Sequence, residues 1–376
     1  MTKTAKLLRD LIALPSVNPA FLTANHPHAG EQRVADFLAA TAATAGLEVD
    51  FQKVVSGRSN LIARLLPPGK ARSRILLAPH LDTVNAARPD QFTPHLRHGR
   101  IYGRGACDTK GSVAAMLSAL MELARSKQRP HETEIVFAGL VDEENVQLGS
   151  RALARSRLKA DLAIVGEPTR LEVITAHKGS LWLELKTRGR AAHGATPQLG
   201  HNAVHDMARI VDLLQRDYAA LLKKRRHPLL GQATVSVGVI CGGTQANIVP
   251  DLCTITVDRR TLPGETCASV RREIASLLKS KRLNATVADA KMADCGPLET
   301  SVELPVVRRF LGCVGQRRPL GVHYFCDAAV LSEGGTPSVV FGPGDIAQAH
   351  TADEWISLAS LEQGKNLLLR FLKSLP

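Results

Sequence analysis

Hydrophobic positions in the first half of the chain follow helical and strand spacing in turn. Leu7, Leu11 and Leu14 lie three or four residues apart, which predicts an amphipathic helix that ends at Pro15. Strands that alternate with helices indicate an α/β domain with a mostly parallel sheet. The same spacing predicts helices over 31–45, 111–127 and 357–375, and short apolar strands over 59–65, 73–80, 132–141, 160–168 and 336–344.

The spacing changes near Gly179, where Leu181, Leu183 and Leu185 alternate with polar residues as in a half-exposed antiparallel strand. The order β-α-β-β-α-β that follows is that of a small ferredoxin-like domain. We therefore predict a catalytic α/β domain (residues 1–178 and 290–376) with helices on both faces of a mixed, mostly parallel sheet, interrupted by an inserted ferredoxin-like α+β domain (179–289). The predicted elements of the insert are strands over 180–189, 233–243, 251–261 and 284–292 and helices over 201–224 and 268–282.

The composition of the 376 residues, 44% hydrophobic and 22% charged, is typical of soluble globular proteins. No apolar run approaches the roughly 20 residues that a membrane span needs. Arg9 and Asp10 interrupt the first apolar stretch, which argues against a signal peptide. Seven cysteines without a CxxC pair favour reduced thiols. We therefore expect a cytoplasmic protein with no membrane partner.

The net charge of +13 raises the possibility of a nucleic-acid, membrane or anionic-substrate partner. Several basic clusters, such as 223–227 and 279–282, lie at predicted helix ends, where solvated Lys and Arg are expected. Aromatic residues make up only 4% of the chain, and no nucleic-acid-binding motif accompanies the basic clusters. A non-catalytic nucleic-acid-binding protein is therefore the less favoured alternative, and we expect no nucleic-acid partner.

Metal-binding residue types follow the predicted α/β strands. In open α/β sheets, ligands bind beyond the carboxyl ends of the strands, so these side chains should lie close together. Histidines and carboxylates without thiolates suit Zn, Co or Mn, and two ions sharing one carboxylate would hold a water nucleophile and polarise a carbonyl. The residues at these ends and in the turn GRGACDTKG are His80, Asp82, Asp108, Glu143, Glu144, Glu167 and His350.

Two of these positions have a predicted division of labour. One of the adjacent Glu143 and Glu144 would bind metal, and the other would act as general base. Asp82 lies two residues after His80 and is placed to accept the second N–H of that imidazole.

Eight segments together resemble the M20 family of dinuclear-zinc deacylases and carboxypeptidases, within its group of acetylornithine deacetylases and succinyl-diaminopimelate desuccinylases. They occur in the family's order over nearly the whole chain. The segments are HLDTV (80–84), GRGACDTKG (103–111), DEENVQLGS (142–150), GEPT (166–169), AAHGATPQLGHNAV (191–204), GGTQANIVPD (242–251), DRRTLPGE (258–265) and GPGDIAQAH (342–350).

The resemblance implies a role for each strand-end residue, with two Zn²⁺ as cofactors and Co²⁺ as a possible substitute. Glu143 would be the general base that takes a proton from the bridging water, and Asp82 would orient His80. The implied metal ligands are His80 and Glu167 for one zinc, Glu144 and His350 for the other, and Asp108 as the bridge.

For the inserted domain, the resemblance implies a lid and a homodimerisation surface. His193 would reach the active site of the partner subunit and stabilise the oxyanion of the tetrahedral intermediate. Asn247 and Arg260 would bind the substrate's carboxylate.

The expected activity is that of an acetylornithine deacetylase-like zinc hydrolase, which removes the acyl group from an N-acyl-L-amino acid by hydrolysis of a linear amide. A metallocarboxypeptidase acting on a short peptide, or a succinyl-diaminopimelate desuccinylase, would use the same chemistry. Both alternatives stay open, although the stretch HYFCDAAVLSEGG before the last predicted ligand differs from that of the desuccinylases.

Overall fold

The computed structural model describes residues 1–290 and 294–376. Contacts divide the chain into two compact units, the first comprising residues 1–175, 300–320 and 326–376, and the second comprising 176–299 and 321–325. Among the described residues, no helix has both the length and the apolar character that crossing a membrane requires.

The elements are numbered in chain order through both units. The helices are α1 (Lys3–Ile12), α2 (Gln32–Ala43), α3 (Lys110–Ala124), α4 (Leu148–Arg155), α5 (Ala203–Leu213), α6 (Ala219–Leu222), α7 (Cys267–Ser280), α8 (Pro305–Val314), α9 (Asp327–Glu333) and α10 (Leu358–Lys373). The strands are β1 (Glu48–Val55), β2 (Arg58–Leu65), β3 (Ser73–Pro79), β4 (His95–Arg97), β5 (Arg100–Tyr102), β6 (Thr133–Gly139), β7 (Leu162–Gly166), β8 (Ile174–His177), β9 (Gly179–Arg188), β10 (Arg226–His227), β11 (Gly231–Gln232), β12 (Thr234–Gly242), β13 (Leu252–Thr261), β14 (Thr286–Asp289), β15 (Leu298–Glu299), β16 (Leu320–Val322), β17 (Ser338–Val340) and β18 (Trp355–Ser357).

Within the first unit, the central sheet has the strand order β1-β2-β6-β3-β7-β17, and Ile174 of β8 pairs with Val340 of β17. Its middle strands β6, β3, β7 and β17 run parallel, whereas β1 and β2 pair antiparallel with each other and β2 pairs antiparallel with β6. The predicted α/β fold with a mixed, mostly parallel sheet is therefore confirmed. The edge strand β1 was not among the predicted elements.

Successive residues of a strand face opposite sides of the sheet, so apolar residues on both faces of the central sheet have to be covered, and helices cover them. Ile75 and Leu77 of β3 belong to one large apolar cluster that also contains the buried residues of α1, α2, α3, α8 and α10. Leu76 lies between them and is also buried, but it is outside that cluster. The buried residues of α4 and α9 are likewise outside it, and these two helices contact each other, while α9 also contacts β7 and β17.

The second unit is built on an antiparallel sheet of order β12-β13-β9-β14, with α5 after β9 and α7 after β13. This order confirms the ferredoxin-like prediction. Leu181, Leu183 and Leu185 are fully buried and pack with α5 and α7, as their alternation predicted. The predicted helix 201–224 is α5, a π-helical turn and α6 in succession. Residues 291 and 292 of the predicted last strand lie outside the described residues.

Candidate metal centre

The parallel strands of the first unit bring the predicted site residues to one edge of the sheet. His80 directly follows β3, and Glu167 directly follows β7. These neighbouring strands run parallel, with Pro79 opposite Gly166, so the two residues leave the sheet side by side. Glu143 and Glu144 follow β6, the neighbour of β3 on its other side. The sheet topology therefore gathers these side chains at its carboxyl edge.

Asp108 reaches this edge from the Gly-rich turn before α3, and its two oxygens face two histidines. Asp108 Oδ1 lies 3.0 Å from His80 Nε2, and Asp108 Oδ2 lies 3.2 Å from His350 Nε2. His80 Nε2 is also 3.9 Å from Glu167 Oε1, and His350 Nε2 is 3.2 Å from Glu144 Oε2. Two groups of three potential ligands result, His80–Asp108–Glu167 and Asp108–Glu144–His350, which share Asp108.

Burial first, and the nearby negative charge of Asp108 second, raise the pKa of Glu144 and of Glu167 above their ordinary values. Burial would also raise the pKa of Asp108, but hydrogen bonds from His350 and His80 hold it below its ordinary value. Hydrogen bonds with Asp108 first, and with Glu144 second, raise the pKa of His350 to about 10. The cluster is thus a concentration of buried carboxylates for which two imidazoles are the nearby cations.

This donor set fits divalent cations. Imidazole nitrogens and carboxylate oxygens are the ligands that Zn²⁺ and Co²⁺ accept, and each group combines one imidazole with two carboxylates. Glu144 Oε1 is buried and accepts no hydrogen bond among the described residues. A buried acceptor without a partner is uncommon, and its position in a ligand group indicates that a cation is the missing partner.

Asp82 organises two of the segments that carry ligands. Its carboxylate accepts hydrogen bonds from the backbone N–H of Glu143 and of Glu144, both at 3.1 Å. Its relation to His80 differs in detail from the prediction: His80 Nδ1 is 3.0 Å from the main-chain oxygen of Asp82 and 3.4 Å from its carboxylate. The backbone carbonyl is therefore the nearer acceptor, because Asp82 is only two residues away and its carboxylate is occupied by the loop amides.

Glu143 is half-buried beside the ligand groups without belonging to either of them. Burial raises the pKa of its carboxyl well above the ordinary value, and the nearby carboxylates of Glu167 and Glu144 add to this. The geometry thus separates the two adjacent glutamates, since Glu144 contacts His350 and Glu143 does not join the ligand cluster.

A buried polar network supports the cluster, and its members Asn18, Arg58 and Glu31 were missed in the sequence. Asn18 Nδ2 donates to Asp82 at 2.7 Å and to Asp142 at 3.0 Å. Arg58 Nη1 donates to Asp142 at 2.9 Å, and Arg58 Nε donates to the fully buried Glu31 at 2.8 Å. The network fixes Asp142, which has a positive φ of 71° and turns the chain into Glu143. Asp82 and Asp142 lie in the segments HLDTV and DEENVQLGS, whereas of the other three positions only Asn18 carries a local signal, the Pro that follows it.

Asp327 is a second missed residue near the cluster. It begins α9, is fully buried, and accepts a hydrogen bond from Ser150 Oγ at 2.5 Å. Burial raises the pKa of Asp327 to about 6. In turn, its charge raises the pKa of Glu143 and of Glu167, so it adds to the negative charge of the site. The segment CDAAV that contains it has no local pattern typical of an active site.

The remaining predicted residues, His193, Asn247 and Arg260, all lie in the second unit. The Gly194 N–H donates to the main-chain oxygen of Asn247 at 2.7 Å, so the exposed His193 and Asn247 belong to adjacent loop segments. Arg260 lies in β13, where its Nε donates to Asp258 at 3.1 Å and its guanidinium lies 5.7 Å from the Phe325 ring centre.

Known proteins share both the sequence pattern and the fold. An acetylornithine deacetylase from Myxococcus xanthus is 31% identical over 89% of this chain and 90% of its own length. The crystal structure of the aminopeptidase PepT from Bacillus cereus has a TM-score of 0.80 at 22% identity and covers 99% of this chain and 97% of its own. That of an M20 family metallo-carboxypeptidase from Sulfolobus solfataricus has a TM-score of 0.78 at 19% identity and covers 99% of both chains. Residues 76–374, which include all the candidate metal ligands, match the profile of peptidase family M20/M25/M40, and the chain belongs to this family.

Proposed function

We propose that this metallo-hydrolase removes the acyl group from an N-acyl-L-amino acid, with N-acetyl-L-ornithine as the first candidate substrate. The observation that carries the proposal is the placement of Asp108 between two imidazole–carboxylate groups. The choice of substrate is supported by the acetylornithine deacetylase from Myxococcus xanthus, which aligns over most of both chains.

M20 enzymes depend on two metal ions, and the ligand groups indicate which residues would hold them here. His80 and Glu167 would hold one ion, Glu144 and His350 the other, and Asp108 both. We propose Zn²⁺ at both positions, with Co²⁺ as a substitute, because these ions accept imidazole and carboxylate ligands. Such ions, when bound, would polarise the scissile carbonyl and lower the pKa of water.

Glu143 is the proposed general base and acid. It is the half-buried carboxylate next to the ligand Glu144 and belongs to neither ligand group, so it is available to take a proton from the attacking water and return it to the leaving amine. Asp82 positions it, because the Asp82 carboxylate holds the backbone N–H groups of both Glu143 and Glu144.

The second unit is proposed to recognise the substrate and to form a homodimer. Arg260 and Asn247 would bind the free carboxylate of the substrate, and His193 would stabilise the oxyanion in the active site of the partner subunit. The edge strand β12 supports a dimer surface. Val239 and Ile240 each expose 59% of their surface there, and an exposed apolar edge strand is prone to pair with another chain.

A hydrolysis panel tests the proposal. Metal-free protein, reconstituted with Zn²⁺ or Co²⁺, would be given N-acetyl-L-ornithine, N-succinyl-diaminopimelate, other N-acyl amino acids and dipeptides. We expect hydrolysis of N-acyl amino acids that chelation abolishes and metal restores. Faster cleavage of the dipeptides would identify a peptidase instead. Salt-sensitive nucleic-acid binding that survives chelation, without any hydrolysis, would contradict the enzyme proposal.

A further inference from the structure

Glu354 lies four residues after His350 and is almost completely buried. Its side chain accepts four hydrogen bonds, two at each oxygen. Oε1 accepts from the backbone N–H of Cys107 at 2.8 Å and of Asp108 at 2.9 Å. Oε2 accepts from the backbone N–H of Gly105 at 2.9 Å and from Arg104 Nη1 at 2.7 Å. All four bonds therefore hold the turn that carries Asp108.

The main chain of Glu354 adds a further bond to the same turn, because its carbonyl oxygen accepts from the Gly103 N–H at 3.0 Å. The turn needs such restraint. Gly105 has a φ of 82°, a conformation that glycine adopts at no steric cost. Glycine can equally adopt many other backbone conformations, so it does not hold the turn in this one by itself. Arg104 is buried too, and its guanidinium balances the charge of the carboxylate, so the buried carboxylate is paired with a buried cation.

We propose that Glu354 is a positioning residue of the metal centre. It connects the loop that carries His350 to the turn that carries Asp108, and so it sets the two oxygens of Asp108 at their separations from His80 and His350. This inference rests on the proposed function only insofar as the cluster binds metal ions. It assigns Glu354 no contact with substrate.

The variant Glu354→Gln tests this role, because it keeps the shape of the side chain and changes one acceptor into a donor. Either orientation of the amide points its NH₂ group at two groups that are themselves donors: the Cys107 and Asp108 amides, or the Gly105 amide and Arg104. The turn must then shift. We expect the affinity of the folded, metal-free protein for Zn²⁺ or Co²⁺, measured by calorimetric titration, to fall by about 10- to 100-fold.

Asp353→Asn is the matched control. Asp353 is the preceding residue, and its exposed carboxylate contacts Arg88 rather than the turn. We expect unchanged metal affinity in this variant. A Glu354→Gln protein that has lost only thermal stability, and whose folded form binds metal as tightly as the wild type, would overturn the positioning role. Failure of the wild-type protein to bind either ion would instead overturn the proposed function.

Hydrogen exchange of the wild-type protein keeps the inference testable if Glu354→Gln does not fold. The amides of Gly105, Cys107 and Asp108 should be protected in the metal-free protein, because Glu354 holds them before any metal arrives. Mass spectrometry of peptides that span 103–110 would show slow exchange without metal and little further slowing with it. Fast exchange that becomes slow only on metal addition would overturn the inference, since the metal would then order the turn.

Discussion

The two units hold their predicted functional residues in opposite ways. In the first unit, His80, Asp108 and Glu167 are buried and lie within contact distance of one another. In the second, His193 and Asn247 are exposed on loops. A buried charged group needs a partner within the protein, whereas an exposed polar group is solvated by water until a ligand binds. Variants of the first group should therefore change metal binding, and variants of the second should change substrate binding or turnover and leave the metal in place.

The largest expected effect is that of Asp108→Ala. Because the two oxygens of Asp108 serve both ligand groups, its loss should remove metal from both positions and lower kcat/KM by about three orders of magnitude or more. Metal analysis after dialysis would measure this, with Asp90→Ala, which removes an exposed carboxylate, as the control. A protein that still retains two ions would show that Asp108 is not the bridge.

Glu143→Ala should separate catalysis from metal binding within the first unit. Glu143 is half-buried beside the ligands but belongs to neither group, so the variant should keep its metal and lose about 10²- to 10⁴-fold in kcat. Parallel kinetics and metal analysis would measure both quantities. Retained turnover would remove Glu143 from the role of general base, and lost metal would instead place it among the ligands.

Arg260→Ala should affect substrate binding without affecting the metal centre. Hydrogen bonds to charged groups contribute about 1.5–3 kcal/mol, so KM for a substrate with a free carboxylate should rise by roughly tenfold to a hundredfold. An analogue with an esterified carboxylate should lose almost nothing, and Arg188→Ala, at the other end of the β9–β13 ladder, serves as the control. An equal loss for both substrates would contradict carboxylate recognition.

The smallest effect on turnover is expected for a buried histidine in the second unit, whose titration changes stability instead. Two buried histidines differ in their partners. At His80, burial lowers the pKa, but hydrogen bonds with Asp108 and Asp82 raise it, and the pKa lies above its ordinary value. His177 has the main-chain oxygen of Lys178 on Nδ1 at 2.9 Å, and no hydrogen-bond partner of Nε2 is found among the described residues. Burial therefore lowers the pKa of His177 to about 4.

This shift predicts that the second unit loses stability in weak acid. Between the unfolded pKa of 6.5 and the folded value of about 4, the unfolded chain binds more protons, so stability falls as the pH drops through this window. The loss should reach about 3 kcal/mol. Urea unfolding would be followed by the fluorescence of Trp182 in a Trp355→Phe variant, which serves as the parent protein. This parent should lose stability in weak acid, and so should the control His205→Gln, which changes an exposed histidine. An equally steep loss in His177→Gln would contradict the assignment.

The sequence predicted the residues whose position follows from topology. His80 and Glu167 follow parallel strands, and parallel strands place their carboxyl ends at one edge, so a local pattern sufficed. Spacing alone did not separate Glu143 from Glu144, because adjacent loop residues differ only in side-chain direction. Resemblance to the family assigned metal binding to Glu144, whose Oε2 lies 3.2 Å from His350 Nε2 in the structure.

The supporting residues could not be predicted because their partners are distant in the sequence. Arg104 and Glu354 are 250 residues apart, and Asn18 and Asp142 are 124 apart. No periodicity or motif connects such pairs, since the contact exists only once the sheet has formed. The edge strand β1 was missed for a related reason: most of its residues are exposed, including Phe51, so its pattern contains no buried face.

Calorimetric titration of the metal-free protein with Zn²⁺, combined with a hydrolysis assay on N-acetyl-L-ornithine at each point, tests the central claim most directly. The two ligand groups around Asp108 predict two ions per chain, with hydrolysis that appears on metal addition and disappears on chelation. Binding of fewer than two ions, or hydrolysis that continues after the metal has been removed, would contradict the account.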